Sequence, residues 1–111
     1  DGVPDGSPVA ATPEVPLTVA RLLPNVPNPF NPSTMIRFEV PGPVASEASL
    51  AIYDLRGRRI TDLARGVFAP GRHEVLWTGR SDAGLPVAAG TYFCRFQCGG
   101  QVVTRPLSLV K

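Results

Sequence analysis

From Val19 onward, apolar and polar residues alternate in short runs cut apart by Gly or Pro, the pattern of short strands with one buried face. Val19-Ala20-Arg21-Leu22-Leu23 predicts a first strand, ended by Pro24. Thr34 to Val40 places Ile36, Phe38 and Val40 on one face and Met35, Arg37 and Glu39 on the other. Pro41-Gly42-Pro43 breaks that run, and Ala48 to Leu55 predicts a longer strand with Leu50 and Ile52 facing alike. Asp54 and Gly57 suit the first and fourth positions of a type I turn feeding a bulge. Arg58 to Leu63 should then return antiparallel, leaving Arg56, Arg58 and Arg59 as exposed turn charges. Gly66 and Pro70-Gly71 bracket the next loop, and Arg72 to Trp77 forms a strand that carries the only Trp into the core. A loop over residues 78–90 leads into Thr91 to Cys98. Gly99-Gly100 supplies a tight turn, and Gln101 to Val110 runs back.

Two segments do not alternate. In residues 25–34, Pro27, Pro29 and Pro32 exclude helix and ladder, while Asn25, Asn28 and Asn31 turn the backbone through side-chain bonds. Phe30, in the middle of this rigid loop, is expected to plug one end of the core. Residues 1–18 carry four Pro, two Gly and scattered aliphatics, the composition of an extended arm or linker. The chain thus divides into an arm, 1–18, and one domain, 19–111. Thirteen Pro and eleven Gly make up more than a fifth of the 111 residues without a collagen period, which favours many short elements over helices. Seven strands with turn signals every ~8 to 12 residues predict an all-β fold, a seven-stranded immunoglobulin-like antiparallel β-sandwich with a Pro-rich N-terminal arm.

Charge and chemistry narrow the function. The net charge is +2 and the eleven Lys and Arg are scattered, so nucleic acid is not expected as a partner. No apolar run approaches the ~18 residues of a membrane-spanning helix. The start at Asp1, without Met or a signal-like segment, is expected of a processed chain or a cut fragment. Cys94 and Cys98 stand four apart on one strand, with Cα atoms roughly 13 Å apart at 3.3 Å per residue. A disulfide needs about 7 Å or less, so buried free thiols are favoured over an intermolecular bond. One His leaves zinc without a ligand set, and His73, on the face of Val75 and Trp77, is expected to be structural. Ser81 and Asp82-Ala83-Gly84 read as a turn, having too few oxygen donors for a calcium loop. No Gly-x-Ser-x-Gly elbow or comparable constellation is present, so neither an enzyme, a metal, a cofactor nor a small-molecule substrate is expected. A carbohydrate-binding sandwich would need an exposed aromatic platform, and most Phe, Tyr and Trp are expected in the core; that class ranks last.

Four strings carry a family resemblance: Pro27-Asn28-Pro29-Phe30-Asn31-Pro32-Ser33-Thr34 followed by Ile36-Arg37-Phe38; Ile52-Tyr53-Asp54-Leu55-x-Gly57-Arg58; Pro70-Gly71-x-His73-Glu74-Val75-x-Trp77-x-Gly79-Arg80; and Asp82-Ala83-Gly84-x-Pro86-Val87-x-x-Gly90-x-Tyr92. Residues 23–111 resemble the C-terminal sorting domain of type IX secretion cargo, itself similar to the immunoglobulin-like domain of flagellar hook-capping proteins. The resemblance implies export across the outer membrane, recognition at the C-terminal strands, and an extracellular or cell-surface location. It places recognition around Gly90, Gly99, Gly100, Arg105, Val110 and Lys111. Where Arg105-Pro106 stands the family usually has a Lys, and Pro106 cannot donate to a ladder, so the last strand is expected at an edge or bulged.

Two functions of different class follow, both served by protein partners. One is a sorting or attachment module read by export machinery. The other is a structural subunit in which the arm adds as a strand to a neighbouring copy, its Val9, Val15, Leu17 and Val19 filling pockets there to build a filament or layer.

Overall fold

The computed structural model describes residues 19–111, in which seven strands and no helix occur. They are β1 (Arg21–Leu22), β2 (Thr34–Val40), β3 (Ser46–Tyr53), β4 (Arg59–Phe68), β5 (Gly71–Trp77), β6 (Gly90–Cys98) and β7 (Gln101–Leu109). Every pairing between these strands is antiparallel, in a three-stranded sheet of order β1-β2-β5 and a four-stranded sheet of order β4-β3-β6-β7. The architecture is the seven-stranded immunoglobulin-like sandwich that the alternation predicts.

The period of two decides what is buried. Ile36, Phe38 and Val40 of β2 meet Leu50 and Ile52 of β3, Tyr92, Cys94 and Phe96 of β6, and Leu107 and Leu109 of β7 in one core. Phe38 lies at its centre, 4.9 Å from the ring of Phe96, 5.5 Å from Phe68 and stacked 5.3 Å from His73. The His73 ring also meets the Ala69 carbonyl at 2.8 Å, so the only His is held by structural contacts on two sides.

The Pro-rich loop closes one end of the sandwich. Phe30 is 1 % exposed and packs 5.6 Å from Trp77, which in turn meets Tyr92 edge-on at 5.6 Å. Buried Asn25 donates to Thr34 Oγ1 (2.9 Å), and the Thr34 hydroxyl donates to the Pro27 carbonyl (2.8 Å). These bonds replace the ladder that proline forbids. Gly79, at φ +73°, lets the chain pass beneath the loop: a Cβ there would stand 2.8 Å from the Pro32 carbonyl oxygen. The indole N–H of Trp77 donates to the Arg80 carbonyl (3.0 Å), so the tryptophan leaves no buried donor unpaired.

The strand limits differ from the sequence reading by more than one residue in three places. β1 keeps only two of the five residues expected, because Val19 bends away and Pro24 follows closely. β3 starts two residues earlier and hands Asp54 and Leu55 to the turn. β4 runs to Phe68 rather than stopping at Leu63, so Gly66 lies inside a strand and does not open a loop. Register shifts opposite Leu50/Ala51 and Ile52/Tyr53 insert bulges that disrupt the alternation of β4 and hide its length. The expected turn forms: Gly57 N–H donates to Asp54 O (3.0 Å), and Asp54 Oδ1 accepts from the amides of Arg58 and Arg56, each at 2.9 Å. The Arg58 amide is the largest influence holding the Asp54 carboxyl below the usual carboxylate range. Arg56, Arg58 and Arg59 are exposed as expected, though Arg59 opens β4 and pairs with Asp82 at 2.7 Å.

Cys94 and Cys98 are free, buried and on the inward face of β6. Burial pushes the Cys94 thiol up to about 12 and raises Cys98; it is also the main cause that raises Tyr92. An acid whose folded pKa is raised contributes stability below its unfolded value and loses it as pH climbs through the folded value. Stability should therefore hold to about pH 8.5, the ordinary thiol value, and fall above it. Urea midpoints measured from pH 7 to 11 should decline, and Cys94→Ala should flatten that decline. Phe30→Ala should cost about 3–5 kcal/mol in urea unfolding, as a core residue does, although it lies in a loop.

Candidate functional site

The C-terminal residues singled out by sequence lie on one hairpin but not at one spot. Gly99 and Gly100, with φ of +54° and +85°, form the two-residue turn between β6 and β7. Gly90, Val110 and Lys111 are at the other end, about eight residues or roughly 26 Å away along the strands. Val110 and Lys111 are exposed side chains just past β7, and the Val110 amide donates to the Phe30 carbonyl (2.9 Å). Val9, Val15 and Leu17 lie outside the described residues. Val19, the last residue of the expected assembly set, is half exposed at the entry to β1.

Arg105 and Gln101 have another place. Both point toward the opposite sheet, where Arg105 Nε donates to the Leu22 carbonyl (2.6 Å) and Gln101 Oε1 accepts from the Ala20 amide (2.8 Å). Among the described residues β1 pairs with β2 on one side, and these two side chains act as a substitute neighbour along its second edge. β7 is itself an edge strand, as Pro106 requires. Counting from the two-residue turn, Val102, Thr104, Pro106 and Ser108 aim their backbone groups away from β6. Proline therefore removes no ladder bond. Ser108 is covered by the Pro-rich loop, its N–H donating to Asn28 Oδ1 (3.1 Å) and its carbonyl accepting from the Phe30 amide (2.9 Å). The last strand is tied to the first described strand at one end and to the Pro-rich loop at the other.

A second surface was not read from the sequence. On the outward face of the four-stranded sheet, Tyr53, Phe93 and Pro106 stand side by side in register across β3, β6 and β7. Neither ring belongs to the core, and Pro106 is exposed. The next row holds Ala51, Arg95 and Thr104, with the Arg95 guanidinium 6.0 Å from the Tyr53 ring centroid. Further along, toward the Gly99–Gly100 turn, a hollow of about 510 Å³ is lined by Glu47, Ser49, Arg65 and Gln97 together with that turn. The parity signal was present: Tyr92 and Phe93 are consecutive on one strand, so one of the two rings must face outward.

The sandwich and its loop identify the family. The model of the FlgD Ig-like domain matches residues 28–97, more than half of the chain, and the chain belongs to that family. The match begins within the Pro-rich loop and ends on β6, before the turn to β7. Among solved structures, the chain is similar to dimeric latent PorU from Porphyromonas gingivalis, with a TM-score of 0.67 and 19% identity over 92% of this chain and 10% of that one. It is also similar to PorZ, an essential bacterial surface component of the type IX secretion system of the same organism, at TM-score 0.53 and 19% identity over 81% and 11%. The Pseudomonas fluorescens alkylpurine DNA glycosylase AlkC, bound to DNA containing an abasic site analog, aligns at TM-score 0.52 and 13% identity over 83% and 30%. These identities show a shared fold alone, and the chain spans about a tenth of the PorU and PorZ chains. Comparison with curated proteins gives no match.

The clamp on β1 yields a direct test. Arg105→Ala should lower stability by about 1–2 kcal/mol. Amide hydrogen exchange at residues 20–22 should speed up more than exchange in β3 or β6, and equal acceleration everywhere would show that Arg105 is not a local clamp.

Proposed function

We propose that the chain is a non-catalytic module of the cell surface or envelope that acts in secretion sorting and attachment through protein partners. The observation that carries this reading is the integration of β7. Machinery that engages the C-terminal strand meets a strand whose side chains hold β1 and whose end is covered by the Pro-rich loop. Recognition at Gly99, Gly100, Val110 and Lys111 then reports that the domain has folded. Membership of the FlgD Ig-like family and the likeness to a domain of PorZ, a surface component of a type IX system, support an envelope or extracellular setting.

Groups that would be examined first for catalysis have structural work. His73 is stacked on Phe38 and bonded to the Ala69 carbonyl, the Tyr92 hydroxyl donates to the Ala88 carbonyl at 2.5 Å, and the Cys94 thiol is buried. A sorting module needs shape and backbone pairing rather than a reactive group.

The test is export. The whole chain, fused behind a reporter that reaches the periplasm of a host carrying a type IX system, should bring the reporter to the cell surface, read by protease accessibility on intact cells. Deleting Leu107–Lys111 should abolish that display. Periplasmic retention of a folded, full-length fusion would overturn the reading.

A further inference from the structure

The outward face of the four-stranded sheet carries two half-buried aromatic rings that the core does not use. A solvated strand face is ordinarily filled by Thr, Lys or Glu, yet here Tyr53, Phe93 and Pro106 make a continuous apolar row across three strands. The row is flat, because its members are cross-strand neighbours about 4.8 Å apart on one pleated surface. Hydroxyl groups border it on both sides, with Thr104 in the row above and Thr91 and Ser108 in the row below.

Charge decides what such a row can hold. Arg59 and Arg65 on this face are both engaged, with Asp62 at 3.5 and 3.6 Å and, for Arg59, Asp82 at 2.7 Å. Arg95 is different: among the described residues no carboxylate lies within ion-pair distance of it. Its side chain is exposed and its guanidinium is held near the Tyr53 ring. A guanidinium with no carboxylate partner among the described residues, beside two outward-facing rings and hydroxyls, matches a ligand with flat C–H faces, many hydroxyls and a carboxylate. The hollow lined by Glu47, Ser49, Arg65 and Gln97 continues the surface beyond Arg95 and gives room for a chain, with Glu47 at its far end disfavouring a second carboxylate there.

We propose that this face binds a polysaccharide carrying carboxylate groups, with Phe93 and Pro106 stacking on the sugar rings and Arg95 taking the carboxylate as a bidentate partner. The site shares β7 with the sorting reading, but its Arg95 and Phe93 lie on β6 and make none of the contacts that hold β7 to β1 and to the Pro-rich loop, so substitutions there can fail without the export test failing.

Affinity electrophoresis of the full chain in gels containing polygalacturonate, neutral dextran or poly-glutamate tests it. Polygalacturonate should retard the chain and dextran should not. Arg95→Gln should weaken binding about tenfold or more, and Phe93→Ser should do likewise. Arg21→Gln, which removes the same charge from the opposite sheet, should leave binding unchanged. Arg95→Gln removes no core side chain, so it carries the test if Phe93→Ser lowers Tm. The proposal is overturned by absence of retardation, by equal loss in Arg21→Gln and Arg95→Gln, or by poly-glutamate binding as tightly as polygalacturonate at equal charge. The last result would make the face a site for acidic peptides.

Discussion

The domain depends on the contact between Phe30 and Trp77. Two sheets packed face to face leave their core open at each end, and residues 25–33, at one of those ends, form no strand of their own. Phe30 fills that end, with Trp77 beneath it and Tyr92 behind, and burying a ring of this size stabilises by roughly 2–3 kcal/mol. The loop can hold the ring there because its own polar groups are spoken for. Asn25, Thr34 and the Pro27 carbonyl satisfy one another, while Asn28 and the backbone of Phe30 pair with β7. Proline reduces the entropy the loop loses on ordering and asks for fewer donors, so the rigidity of the segment and its capacity to seal the core have one cause.

Much of this was legible in the sequence. The alternation in residues 34–40 and 91–98, the turn at Asp54–Gly57 and the Gly99–Gly100 hairpin all follow from local rules, and the structure keeps each of them. Phe30 as a plug was also readable, since an aromatic ring among prolines has nowhere to go but inward. The parts that were not readable are those set by partners distant in sequence. β4 looks short because two bulges scramble its parity, and their positions depend on pairing with β3. Arg105 enters the sequence reading as a recognition residue, yet its guanidinium is held 83 residues away at Leu22, where β1 has an edge that no strand among the described residues covers.

That long-range clamp changes what the last strand means. In a simple hairpin, β7 would be the most dispensable element, at a sheet edge and at the end of the sequence. Here it carries the substitute partner of β1 found among the described residues, supplies Leu107 and Leu109 to the core, and receives the Pro-rich loop along its outer side. Loss of β7 would uncover the first strand and the plugged end together. Under the proposed sorting function, recognition directed at β7 would check the closure of the whole sandwich, which a linear tail signal cannot do.

The two faces of β6 obey different constraints. Tyr92, Cys94, Phe96 and Cys98 face inward, where volume is fixed by the opposite sheet and each change is felt by its neighbours. Thr91, Phe93, Arg95 and Gln97 face outward, where packing demands almost nothing and intrinsic strand preference is met as well by threonine as by phenylalanine. An aromatic ring on the inward set explains itself by the core it fills. A ring on the outward set, aligned with a second ring and a proline on neighbouring strands and overlooked by an arginine with no carboxylate partner among the described residues, has no such explanation within the fold. The separation of stability from surface chemistry along a single nine-residue strand is what lets one sandwich keep its core while its outward face is set by what it meets.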